Sequence, residues 1–259
     1  MIIGTVIQFI EMIFAIGNIN ARANSYIILI SLKMCFSAKA SFSAWWLLAI
    51  MAVFLWYRNE KYDRALSGFV LALGFIQLIE WGIHTGADSN DSGRALYMIL
   101  WLQCLLLAVG VFLFVDWSQK ENISSTTTQN IVHIIAALNL LLFAVVFIIA
   151  LILSFMSTFS AAPGTSGHIE WYKDGGFLLG SWGWLYVVGI FGPLILIFAY
   201  YMWADIAIAI LIIYGALSAA YVLTNYPPSA FSSMWCYLSL GFAFLAYFLG
   251  IIPCTTSTI

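Results

Sequence analysis

Charge is what this sequence has least of. Lys, Arg, Asp and Glu make up 8% of its 259 residues, against roughly 25% in a soluble domain, so the chain cannot cover a water-facing surface. The nine basic residues form no cluster and the net charge is −2, which excludes nucleic acid as a partner. There are three histidines, with no HxxxH or HExxH spacing, and that argues against an embedded zinc hydrolase. The four cysteines, Cys35, Cys104, Cys236 and Cys254, lack metal-type spacing and fall mostly in apolar segments, where a thiol behaves as a small hydrophobe. A disulfide framework is not expected. Phosphate loops and nucleophile elbows are absent. No lysine lies within 231–251, where a retinal protein would need its Schiff-base amine.

What the chain does have is length of apolar run. Hydrophobic residues reach 64% and mean hydropathy is +1.02. Stretches such as LLLFAVVFIIALILSF at 140–155 are continuous, unlike the alternating ten-residue segments of a membrane barrel. A bilayer core of about 30 Å needs about 20 residues of helix. The pattern predicts an all-α polytopic bundle of about seven transmembrane helices, at 38–57, 65–85, 95–115, 131–155, 178–200, 206–225 and 231–251. The charged turn 58–64, the turn-forming 84–94 and the polar 116–130 connect the first four. The longest connection, 156–177, has aromatics suited to a lipid–water interface and is expected to form a small lid. Asp205 is placed to cap the sixth helix.

The expected organisation is an extension at 1–33 followed by a transmembrane domain at 34–259. Residues 2–17 are apolar but short and contain Glu11. They read as an extra helix, an interfacial segment, a signal-like stretch or an upstream extension of the reading frame, the last being preferred. Counted from Met34, Arg58, Lys61, Arg64 and Lys120 outweigh Lys39, Arg94 and Lys173 on the opposite side, which favours a cytoplasmic 58–64 turn. Adding Arg22 and Lys33 removes that bias.

The second span carries Gln77, Glu80, Trp81 and His84. At 3.6 residues per turn, positions 77, 80 and 84 share a face. An ionisable group in hydrocarbon costs several kcal/mol unless it meets a cavity or partner, so Glu80 is a functional candidate by default. Glu80 and His84 could instead reach the interface near the helix end. Gln103, Asn139, Thr224 and Asn225 are polar groups within spans, suited to joining helices. Gln103, Asn139 and Asp205 also stand as cavity candidates. His133 starts its helix and His168 lies in the 156–177 loop. Gly180, Gly183, Gly189 and Gly192 would permit close helix contact, with Pro193 as a kink.

From Met34 the chain reads Met34-Cys35-Phe36-Ser37-Ala38-Lys39-Ala40-Ser41-Phe42. This resembles the opening of a family of uncharacterised polytopic membrane proteins of bacteria and large DNA viruses. Gln77 and Glu80 followed by Trp81, and the Trp235-Cys236 pair opening the last helix, look similar too. The resemblance implies a seven-helix fold and candidate roles for Cys35, Ser37, Trp81, Trp235 and Cys236, but no activity. Under it Met34 becomes a candidate start, and Cys35 is then exposed for metal binding, acylation or pairing with Cys236; the alternative is plain packing in the first turn. Ser37 would cap that turn.

The leading functional expectation is a transporter or channel for protons, ions or a small solute, with Gln77, Glu80 and His84 lining a polar cavity. A membrane-embedded enzyme or redox protein using Cys35, Cys236 and His84 is the second reading, and a non-catalytic scaffold the third. The sequence specifies no metal or cofactor. Its expected surroundings are the lipid bilayer.

Overall fold

The structure is a computed structural model and describes residues 38–59, 63–121, 127–163, 169–200 and 206–225, together with positions 241 and 245. Six long helices run through them: α1 Ala38–Arg58, α2 Asp63–His84, α3 Ser89–Glu121, α4 Thr127–Met156, α5 Gly183–Tyr200 and α6 Ile206–Asn225. Stretches of the first five are long and apolar enough to cross a membrane. In α6 the apolar stretch is the shorter Ala209–Ala220. Apart from positions 241 and 245, the expected seventh span, 231–251, falls outside the described residues, as does the extension 1–33.

Each stop signal is local. Asn59, with φ of 51°, takes the left-handed position just past α1, and its N–H donates to the Leu55 carbonyl at 3.1 Å. Asn is one of few residues that tolerate that conformation. At the end of α2, Gly86 has φ of 96°. Its N–H donates to the Ile83 carbonyl and the Ala87 N–H to the Gly82 carbonyl, the paired bonds of a Schellman cap. Asp88 then starts α3 at once: its Oδ1 accepts the N–H of Asn90 and of Asp91, both at 2.9 Å, as an N-cap carboxylate does.

Two expected boundaries were too short. α3 has 33 residues and α4 has 30, so at about 1.5 Å per residue α3 reaches about 50 Å, well beyond a bilayer core. The polar run 116–130 is therefore largely helical, continuing α3 to Glu121 and opening α4 at Thr127. Helical hydrogen bonds are internal to the chain, so a helix need not end where hydrocarbon does.

The all-α expectation also needs correcting. The loop 156–177 contains a three-stranded antiparallel sheet, β1 Phe159–Pro163, β2 Ile169–Lys173 and β3 Gly176–Phe177, in the order β1-β2-β3. Phe159 pairs with Lys173 and Pro163 with Ile169. A two-residue turn, Asp174-Gly175, joins β2 to β3, with φ of 50° and 77°. Positive φ at both positions is what a type I′ hairpin turn demands, and Asp-Gly supplies it. A 3₁₀ turn, Gly180–Trp182, follows, so α5 starts at Gly183 and not at the expected 178.

Neighbours in sequence pack as neighbours in space: α1 on α2, α2 on α3, α3 on α4, α5 on α6. In addition α5 packs against both α3 and α4. That makes α3 the hub, and its buried residues Tyr97, Leu100, Trp101, Cys104, Leu107, Ala108 and Val111 recur at helical spacing. Opposite them α4 buries Ala136, Phe143, Val146 and Ala150 and exposes Ile134, Leu138, Leu141, Leu142, Val145, Ile148 and Ile152. So wide an exposed apolar surface is unsuited to water and suited to lipid.

The sheet lies over the start of α3. Phe159 and Trp171 are buried, and a Cβ on Gly93 would stand 2.5 Å from the Phe159 Cβ. The Phe159 N–H donates to Asn90 Oδ1 at 2.8 Å. Arg94 closes the adjoining end of α4, its Nε donating to the Ser154 carbonyl at 2.9 Å. The small lid expected from the sequence is thus a pinned sheet.

Candidate functional site

The polar face of α2 divides. Gln77 and Glu80 are 3% and 5% exposed, whereas His84, the last residue of the helix, is exposed. Those three positions lie on one side of the helix as the spacing predicts, but the Schellman cap ends α2 at His84, carrying the imidazole out of the packed layer. The buried centre is therefore a carboxyl and an amide one turn apart. The Gln77 Nε2 atom has no hydrogen-bond partner among the described residues.

Helix α1 lies directly against this level. A Cβ on Gly74 would stand 3.3 Å from the Leu48 Cβ and 3.4 Å from Trp45 Cδ1, so the missing side chain lets the two backbones close. One turn beyond Gln77, the half-buried Trp81 ring meets Phe42 with centroids 5.3 Å apart. Phe42 in turn contacts Trp45 at 5.9 Å and Trp46 at 6.3 Å. These aromatics line the contact between α1 and α2.

Gln103 joins helices. It is fully buried, its Nε2 donates to the Ala72 carbonyl of α2 at 3.4 Å, and its Oε1 accepts the Tyr186 hydroxyl of α5 at 2.6 Å. Asn139 faces Gly192, where an added Cβ would stand 3.8 Å from its Nδ2. The Asn139 Oδ1 has no hydrogen-bond partner among the described residues. Thr224 donates to the Ala220 carbonyl of its own helix at 2.8 Å. His133 does not start its helix as expected: α4 opens at Thr127, so His133 lies nearly two turns inside it, stacked on Phe112 with centroids 5.6 Å apart and 3.7 Å from Asp116 Oδ1. Cys35, Ser37, His168, Asp205, Asn225's side chain, Trp235 and Cys236 lie outside the described residues.

Among the described residues no three His, Cys, Asp or Glu side chains gather as a metal site. Cys104 is a free, buried thiol and packs against Gly189, where an added Cβ would stand 2.6 Å from its Sγ. A crevice of about 20 Å³ near the lid is lined by Tyr97, Trp101, Val146, Ile149, Ala150, Leu153 and Trp182; none of the α2 candidates borders it.

Sequence reasoning missed Trp45, Tyr186, Asp63 and the hairpin. The first three depend on which helix lies opposite, which periodicity does not state. The hairpin did have a signal in Asp174-Gly175. Compared with known protein families, with curated proteins and with solved structures, the chain matches none.

Proposed function

We propose that this is a multi-pass membrane protein that moves protons, small cations or a small solute, with Gln77 and Glu80 as its polar centre. The observation that carries the reading is the burial of Glu80, 5% exposed, in a helix otherwise apolar enough to span a bilayer. Holding a carboxyl there costs stability that plain packing by Leu or Ile would not. Kinship with the Met-Cys-Phe-Ser-Ala family forms part of the proposal and rests on the Met34–Phe42 motif with Gln77, Glu80 and Trp81. His84 drops to an entrance position at the helix end.

The test is flux into proteoliposomes, with a trapped pH-sensitive dye for protons and tracer sodium and potassium for cations. Glu80→Gln keeps the shape and removes the charge, and it should abolish the flux seen with the unaltered chain. Full flux in that variant would remove Glu80 from the mechanism. A scaffold without transport is the second reading, supported by Gln103, whose bonds go to neighbouring helices. It predicts no flux at all and a folded chain when Glu80 and Gln77 are both replaced by Leu.

A further inference from the structure

Two hydrogen-bond donors are stranded at the crossing of α1 and α2. The indole Nε1 of Trp45 and the amide Nε2 of Gln77 are both buried atoms with no hydrogen-bond partner among the described residues. A buried Trp N–H normally finds an acceptor, and an unsatisfied buried group calls for a physical explanation. One orphan is an exception; two on facing helices at one level are a pattern.

Their proximity follows from the register. Gly74 meets Trp45 Cδ1, the carbon bonded to Nε1, and Trp81 meets Phe42 one turn of α1 away. On α2 those two contacts mark the line facing α1, and Gln77 lies between them in height, turned from that line by about 60° at 100° per residue. Glu80 is turned about 60° further in the same direction. Gly74, which touches the Nε1-bearing edge of the Trp45 indole, then the amide and then the carboxyl therefore follow one another around α2.

We infer that this corner holds an ordered water molecule, accepting hydrogen bonds from Trp45 Nε1–H and Gln77 Nε2–H and lying within one turn of the Glu80 carboxyl. The chemistry selects water. Two neutral N–H donors match the two lone pairs of one oxygen, and a buried water characteristically makes about three hydrogen bonds to groups otherwise unsatisfied. An oxygen that accepts from two donors is polarised to donate, so its own O–H groups are directed to acceptors, of which a carboxylate is the strongest available. The water thereby passes the dipoles of two N–H groups to the membrane-buried acid without adding a cation. Its role rests on the reading of Gln77 and Glu80 as the polar centre, whereas its presence is read out separately from flux.

A map of the wild-type protein in nanodiscs, fine enough to show waters, decides occupancy. Density within hydrogen-bond distance of both Trp45 Nε1 and Gln77 Nε2 is expected. An empty corner, or a Gln77 amide turned so that its oxygen takes the Trp45 N–H directly, overturns the inference. Ultraviolet resonance Raman provides a second reading in solution: the spectrum of the wild type minus that of Trp45→Phe isolates the Trp45 indole N–H band. That band should report a hydrogen-bonded N–H in the wild type and a free one in Gln77→Leu. A free N–H already present in the wild type overturns the proposal. Water present without any flux would keep the site and discard transport, so the two failures are distinguishable.

Discussion

The guanidinium of Arg58 grips the carboxylate of Asp63 at two points, Nε to Oδ2 at 2.6 Å and Nη2 to Oδ1 at 2.8 Å. Asp63 is fully buried and Arg58 is 17% exposed, so the pair closes the turn between α1 and α2 from inside. Two parallel charge-assisted bonds of this kind fix geometry as well as energy. They help to hold the register that places Trp45 against Gly74.

Removing one partner leaves an uncompensated charge. Asp63→Ala is expected to destabilise the protein by about 3 kcal/mol, and Arg58→Lys, which loses the fork, by less. Thermal melting in detergent checks both. A wild-type melting curve for Asp63→Ala would show that the pair contributes nothing.

Glycines three positions apart on α5 should behave oppositely. At Gly189 an added Cβ would stand 2.6 Å from both Cys104 Sγ and Phe143 Cε1, whereas at Gly192 the nearest atom is 3.8 Å away. Gly189→Ala is expected to cost about 1–3 kcal/mol by overpacking. Gly192→Ala is expected to be neutral or stabilising by up to about 1 kcal/mol, from helix propensity. Equal effects at the two positions would contradict the close contact of α3, α4 and α5.

The Gln103–Tyr186 bond makes a separable prediction. Tyr186→Phe deprives the fully buried Gln103 Oε1 of its donor, at an expected cost of about 1–3 kcal/mol. In a double-mutant cycle with Gln103→Leu, coupling of at least about 0.5 kcal/mol is expected. Strict additivity would mean that the two side chains do not interact.

The lid should loosen in acid. The Asp174 carboxyl is held below its ordinary range chiefly by the Thr158 N–H, at 2.9 Å, with help from the Ser157 and Thr158 side chains and from Lys173. A depressed folded-state value means that the ionised form is the stabilised one. Its contribution is complete above the ordinary value of about 4 and is lost as pH falls through the lower folded value. Protection of the Thr158 amide, its exchange measured against the intrinsic rate at the same pH, should fall over that range in the wild type, and should lack that acid-dependent fall in Asp174→Asn. Identical pH profiles for the two proteins would discard the carboxylate as the anchor.

Much of this architecture is legible in the sequence because it is local. A run of apolar residues marks a span without reference to the rest of the chain, and the run 206–225 coincides with α6. Gln77 and Glu80 were found because polar residues stand out in such a run, and both are buried. Polarity misplaced the ends of α3 and α4, since composition reports the edge of hydrocarbon while helix ends follow caps. Angle alone groups His84 with Gln77 and Glu80; its height at the Gly86 cap separates it from them.

By itself, then, the sequence determined the apolar surroundings, the approximate spans of the described helices and the acid on α2, because transfer energies and helical periodicity are properties of short segments. Only the tertiary structure decided that Asp63 meets Arg58, that Gln103 joins Ala72 to Tyr186, that Trp45 meets Gly74 and that β1 pairs with β2. Those are choices of partner. They are set by which glycine permits close approach and which surfaces fit, and no single segment contains that information.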